Sequence, residues 1–215
     1  MQMAKESGIR TVPFALIRMT LQNNEFAYVT KRIDRTDGQV LAMEDFCQLD
    51  GRLTEDKYRG SYERCGKIIQ KYSSTKGFDI TELYLRVIFS FAVGNSDMHL
   101  KNFSLIETAE GNCKYVLSEA YDMLSTNVVL PEDKDQTALT VNSKKRNIRR
   151  KDFLVFAETI GIQRKSAEKM LEKIVKLKDT YIEMCRESYI PETMKTELEE
   201  LITERIAILT NSNIQ

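Results

Sequence analysis

Apolar and polar positions alternate with three different rhythms along this chain, and each change of rhythm predicts a change of element. Residues 1–8 read as the end of a helix stopped by Gly8. Residues 13–19 and 25–33 are β-rich runs on either side of Gln22-Asn23-Asn24, which predicts a hairpin. A turn over 34–39 leads to a short helix expected over 43–49 and a loop over 51–57. Residues 61–72 and 79–93 carry helical patterns. The second is apolar nearly all round (Ile80, Leu83, Leu85, Val87, Ile88, Phe89 and Phe91 among its residues), so it is expected to be a buried central helix. Residues 103–107 and 113–118 predict a second hairpin around Glu110-Gly111-Asn112. After Thr140 the pattern is helical throughout, with segments at 152–161, 165–186 and 192–209, and Pro191 placed to start the last. A β-rich beginning, a helical middle interrupted by a hairpin, and an all-helical tail suit an α+β protein that is mostly helical.

Composition narrows the classes of function. The 215 residues hold 32 Lys plus Arg and 32 Asp plus Glu, so the whole chain has no electrostatic commitment to nucleic acid or to a membrane. Its hydrophobic content of 42% is enough for a real core. Cys47, Cys65, Cys113 and Cys185 lie far apart with no CxxC pair, which argues against a disulfide scaffold or a zinc site and for reduced thiols. The longest apolar run is interrupted by Arg86 and Ser90, and no segment has a signal-peptide layout, so the expectation is a cytoplasmic protein without a membrane span. One local bias stands out: residues 144–151 carry six positive charges in eight positions. A solvated loop at a helix start is the ordinary reading; a dock for an acidic partner or nucleic acid is the other.

The chemistry concentrates in Gly94-Asn95-Ser96-Asp97-Met98-His99-Leu100-Lys101-Asn102-Phe103. An Asp five residues before an Asn is the spacing of a protein-kinase catalytic loop, where the Asp orients the accepting hydroxyl and the Asn holds a magnesium ion. Asp122, within Tyr121-Asp122-Met123-Leu124-Ser125-Thr126, follows a strand-like segment where a metal-binding carboxylate is expected. Each residue also has a plainer reading. Asp97 and Asp122 could cap local turns, and His99, the one histidine, could be a hydrogen-bonded core residue.

The same run, together with the segment around Asp122, resembles the HipA-like serine/threonine kinases, the toxin half of bacterial toxin–antitoxin pairs. Tyr28-Val29-Thr30-Lys31-Arg32-Ile33-Asp34-Arg35, Met43-Glu44-Asp45-Phe46-Cys47-Gln48 and Lys57-Tyr58 agree with further motifs of that family, in order. The resemblance implies a kinase C-lobe over 36–215, preceded by a partial N-lobe and hinge over 1–35. It further implies Asp97 as the catalytic residue and His99 at the phosphates. Asn102 and Asp122 would be magnesium ligands, Asn102 and Tyr121 would lie at the nucleotide, and the hinge backbone at Lys31, Arg32 and Ile33 would meet adenine. ATP and Mg2+ follow as substrate and cofactor. The expected partners are an antitoxin and a protein substrate such as a translation factor or aminoacyl-tRNA synthetase, with DNA reached indirectly if at all.

The chain departs from the family pattern upstream of the hinge. The phosphate-covering loop and the strand lysine of the family have no counterpart, and MQMAKESGIRTVP reads as the middle of the N-lobe helix. The expectation is therefore a Met1 that is internal in a longer ancestor, or a separate subunit that supplies the missing part. A catalytically inactive remnant acting as a binding module is the alternative to an active kinase, and a nucleic-acid-associated module around 144–151 is a third reading.

Overall fold

The computed structural model describes residues 1–19, 26–36 and 38–210. Helix α4 (Lys76–Ala92) is the axis of the molecule, and from Asp79 to Ala92 every residue but Thr81 is buried. Its all-round apolarity therefore has the expected consequence, and each fully buried Leu, Ile or Phe contributes roughly 1.5–3 kcal/mol. Aromatic rings pack against it. Tyr84 meets Phe156 at 5.6 Å between centroids and Phe91 meets Phe153 at 5.0 Å, both partners lying on α6 (Arg150–Thr159). Helix α3 (Tyr62–Tyr72) packs against both α4 and α6. It approaches the end of α6 closely because Gly66 has no side chain: a Cβ there would lie 2.5 Å from Ile160 Cγ2.

Around this axis stand small sheets and a helical tail. Strands β1 (Phe14–Arg18) and β2 (Phe26–Thr30) form an antiparallel pair with Leu16 opposite Tyr28. The turn expected at Gln22-Asn23-Asn24 lies outside the described residues. The turn expected over 34–39 contains a minimal antiparallel pair, β3 (Arg35–Thr36) and β4 (Gln39–Val40). A three-stranded antiparallel sheet has the order β5 (Met43–Asp45), β6 (Ser104–Glu107), β7 (Tyr115–Leu117), with β6 buried along its whole length. The second expected hairpin is thus present as β6 and β7.

Two expectations need correction. The helix expected over 43–49 is a strand followed by a short helix, α2 (Phe46–Leu49). Met43 pairs with Ile106, and Asp45 stops the strand by accepting from the Gln48 N–H while Gln48 Oε1 accepts from the Asp45 N–H. That reciprocal capping box sets the helix start. The helix expected over 165–186 is two helices, α7 (Arg164–Lys176) and α8 (Lys178–Arg186). The break at Leu177 allows Leu171 and Ile174 of α7, and Tyr181 and Cys185 of α8, all to reach the core. A short helix, α5 (Thr126–Val129), follows the Asp122 segment, and α9 (Glu192–Thr210) completes the tail. Among the described residues no helix is long and apolar enough to cross a membrane.

The basic run at 144–151 is largely engaged within the fold. Lys144 pairs with buried Asp152, Arg146 with Asp135, and Arg150 donates to the Leu209 carbonyl at the end of α9. With Lys145, which donates to the Tyr58 carbonyl at 3.5 Å, four of its six cations have structural partners.

Candidate active site

The 94–103 run begins where α4 ends, and glycine makes that ending possible. Gly94 has φ +70°, the left-handed conformation that closes a helix C-terminus, and the Asn95 N–H returns to the Ser90 carbonyl at 2.8 Å. A Cβ at Gly94 would also lie 2.7 Å from Leu201 Cδ2 of α9. Gly94→Ala is therefore expected to cost about 1–3 kcal/mol and to displace the following loop. Thermal unfolding and nucleotide binding should both fall; unchanged values for both would show that the loop does not depend on this turn.

Beyond Gly94 the polar side chains organise one another. Asn95 is buried and its Oδ1 accepts from the Asp97 N–H at 3.2 Å. Ser96 donates its N–H to Thr126 Oγ1 at 2.8 Å, tying the loop to the start of α5. The half-buried Asp97 carboxylate accepts from the Tyr58 hydroxyl at 2.6 Å. The Asn102 amide is held at both ends: Oδ1 accepts from the His99 N–H at 3.1 Å, and Nδ2 donates to Asp122 Oδ2 at 2.8 Å. Those two partners fix which end of the amide is oxygen.

Asp97, His99, Asn102 and Asp122 are thus brought together from one loop and from the segment after β7. Asp122 has φ +55°, a left-handed backbone that Asp tolerates and most residues do not. Its carboxylate is exposed, apart from the Asn102 contact. His99 is buried, with Nδ1 lacking a partner, and burial pulls its pKa below the ordinary value; Asp97 opposes that shift and Lys57 reinforces it. Burial therefore favours the neutral imidazole.

The hinge residues lie beside this cluster. Lys31, Arg32 and Ile33 line a cleft of about 450 Å³ with Val12, Lys101 and Tyr121. The Lys31 N–H is already taken by the Pro13 carbonyl at 2.9 Å, so a base entering the cleft would meet the amides and carbonyls that follow it. Arg32 is bidentate to Asp34 at the surface, and this pairing holds the Asp34 carboxyl below its usual range. The Tyr121 hydroxyl donates to the Lys101 carbonyl at 3.0 Å and shares a 2.7 Å hydrogen bond with Ser104 Oγ, which fixes its ring at the cleft wall.

Two residues at the site had motif membership without a role. Lys101 lines the cleft and pairs with Asp45 Oδ2 at 2.7 Å, linking the 94–103 run to the cap of α2. Tyr58 reaches Asp97 from a different element. The sequence signals were the Met43–Gln48 and Lys57-Tyr58 runs, which carry both partners.

Comparison with known proteins bears on the family and the fold. The HipA-like C-terminal domain family matches residues 1–181. A Sinorhizobium fredii protein named "Putative kinase Y4dM" is 39% identical over 121 residues, covering 56% of this chain and 28% of its own length. A Haemophilus influenzae protein named "Putative kinase" is 27% identical and covers 97% of this chain and 68% of its own. Among solved structures, HipA of Shewanella oneidensis, in complex with HipB and operator DNA, superposes with TM-score 0.78 at 16% identity, covering 97% of this chain and 53% of that one. The Helicobacter pylori kinase CtkA superposes with TM-score 0.66 at 15% identity, covering 97% and 77%. The fold is therefore α+β and kinase-like, and the chain spans about a quarter to two thirds of the length of these curated relatives.

Proposed function

The chain belongs to the HipA-like C-terminal domain family, and from that premise we propose that it acts as a HipA-like serine/threonine protein kinase, moving the γ-phosphoryl group of ATP to a Ser or Thr hydroxyl. The observation that carries this reading is that His99 feels the charges of both Asp97 and Asp122 and bonds to Asn102, itself paired with Asp122, while Lys101 and Tyr121, the chain neighbours of that pair, line the hinge cleft. Asp97 accepts the acceptor's hydroxyl proton while the oxygen bonds to the γ-phosphorus and the bond to ADP breaks. The buried His99, with Lys101, borders the phosphates. Tyr121 and the 31–33 backbone hold the base.

The donor set at Asn102 and Asp122 fits magnesium. One carboxylate and one amide oxygen are hard donors, and magnesium takes few protein ligands beside phosphate oxygens and water. Asp122 would hold the ion directly, and Asn102 would contribute the lone pair of Oδ1 not given to His99. When bound, the ion neutralises charge on the phosphates.

Partner proposals follow from the relatives. The Shewanella HipA complex with HipB and DNA supports an antitoxin as partner, with DNA contacted through it. A translation factor or aminoacyl-tRNA synthetase is the proposed substrate class. Leu16, Ile17, Phe26 and Tyr28 of the β1–β2 hairpin are exposed, which supports a subunit that packs there and completes the N-lobe.

Calorimetric titration of ATP with and without magnesium, beside Asp122→Asn, tests the reading. Asn keeps the left-handed backbone at 122 and removes only the charge. Magnesium-dependent ATP binding should weaken about tenfold or more in the variant. Binding indifferent to magnesium and to Asp122 would instead favour the binding module without transfer.

A further inference from the structure

Among the described residues the Asp97 carboxylate has one side-chain donor, the Tyr58 hydroxyl, 2.6 Å from Oδ1. Burial does not explain the position of this tyrosine, because it is 43% exposed. It is fixed instead by contacts with the catalytic run and its surroundings. The Leu100 N–H donates to the Lys57 carbonyl at 3.2 Å, so the loop carrying Tyr58 is bonded directly to the loop carrying Asp97. The His99 ring stands edge-on to the Tyr58 ring at 5.0 Å, and the Lys57 ammonium lies 4.9 Å from that ring's centroid. Lys145, a cation of the basic run, reaches the Tyr58 carbonyl at 3.5 Å. Gly60 (φ +147°) turns the chain away and anchors it by accepting from the Thr140 N–H at 3.3 Å.

We propose that Tyr58 is a positioning residue for the phosphoryl transfer: its hydroxyl donates to Oδ1 of Asp97, sets the rotation of the carboxylate, and leaves Oδ2 for the acceptor hydroxyl. The proposal rests on the kinase reading of the site. An Asp carboxylate turns on two torsions, and the second is broad, so one strong hydrogen bond decides where its free oxygen points. A phenol suits the task. Burial first, then the hydrogen bond to Asp97, raises the Tyr58 pKa to about 12. The hydroxyl therefore keeps its proton at neutral pH and does not compete as a base. The ring's anchoring to His99 makes the same contact align two residues of the catalytic run.

The test uses the full chain and Tyr58→Phe, with γ-labelled ATP and a generic serine/threonine acceptor such as casein. The expected result is a kcat lowered about tenfold, with KM for Mg-ATP within about twofold and an unchanged unfolding temperature. An unchanged kcat overturns the proposal. So does a raised one, which would make Tyr58 a plug over Asp97 rather than its guide. A second measurement needs no catalysis: the ionisation of Tyr58, followed by the NMR shift of its labelled ring carbon in the wild type and in Asp97→Ala. The midpoint should move down from about 12 toward the ordinary tyrosine value in the variant. A midpoint that stays put overturns the contact. A wild type that transfers no phosphate to any acceptor counts against the kinase reading itself, while the titration still decides whether Tyr58 holds Asp97.

Discussion

Asp97→Asn is expected to lower phosphoryl transfer by about 10³-fold while ATP affinity stays within about twofold. Asn matches Asp in shape, so its Oδ1 can still accept from the Tyr58 hydroxyl and its backbone N–H still meets Asn95. What is lost is the capacity to take the acceptor's proton. The Asn102–Asp122 pair and the hinge cleft are untouched, so the nucleotide site persists. Incorporation of label from γ-labelled ATP into phosphoserine or phosphothreonine measures the effect. Transfer retained within about tenfold of wild type would remove Asp97 from the role of base.

Arg86→Ala is expected to destabilise the chain by about 3–5 kcal/mol. Arg86 is fully buried within α4, where its Nε donates to Glu82 Oε1 at 3.0 Å and its Nη2 to the Ser118 carbonyl at 2.7 Å. Glu82 also accepts from the Arg10 N–H at 3.1 Å. Alanine would leave a buried carboxylate without its cation and a carbonyl without its donor. The damage extends to the site, because the same network holds the chain on both sides of Asp122's approach: the Ala120 N–H bonds the Arg10 carbonyl at 2.7 Å, and the Val12 N–H bonds the Ala120 carbonyl at 3.0 Å. For a domain of this size the loss corresponds to roughly 10 °C in unfolding temperature. Replacing Glu82 and Arg86 together by Met should recover most of it, since the desolvation of both charges is then removed as well. A single Arg86→Ala variant within about 1 kcal/mol of wild type would show that the buried pair carries little.

The parts of this account that depend on short spacing were legible in the sequence. Asp97 and Asn102 lie on one loop, so their relation is a count of residues. The helix over 79–93 declares its burial through an apolarity that runs nearly all round it. Relations between distant residues were not legible. Tyr58 reaches Asp97 across 39 positions and Lys101 reaches Asp45 across 56, and no local pattern encodes either contact. Arg86 and Ser90 look like interruptions of an apolar run, yet both are buried; for Arg86 the Ser118 carbonyl just after β7 and Glu82 on the same helix accept from the guanidinium. The strand at Met43–Asp45 was hidden because three residues show no period; its partner Ile106 decides it. The break at Leu177 was hidden for a related reason. The sequence is helical on both sides, and the core surfaces that α7 and α8 must each meet set the bend.

The most direct test of the central claim is a crystal structure of the chain with a non-hydrolysable ATP analogue and manganese in place of magnesium, read by manganese anomalous scattering. The account predicts the metal held by the Asp122 carboxylate and Asn102 Oδ1, and the base in the cleft bordered by Lys31, Arg32, Ile33 and Tyr121. A metal elsewhere, or a nucleotide outside that cleft, would contradict it.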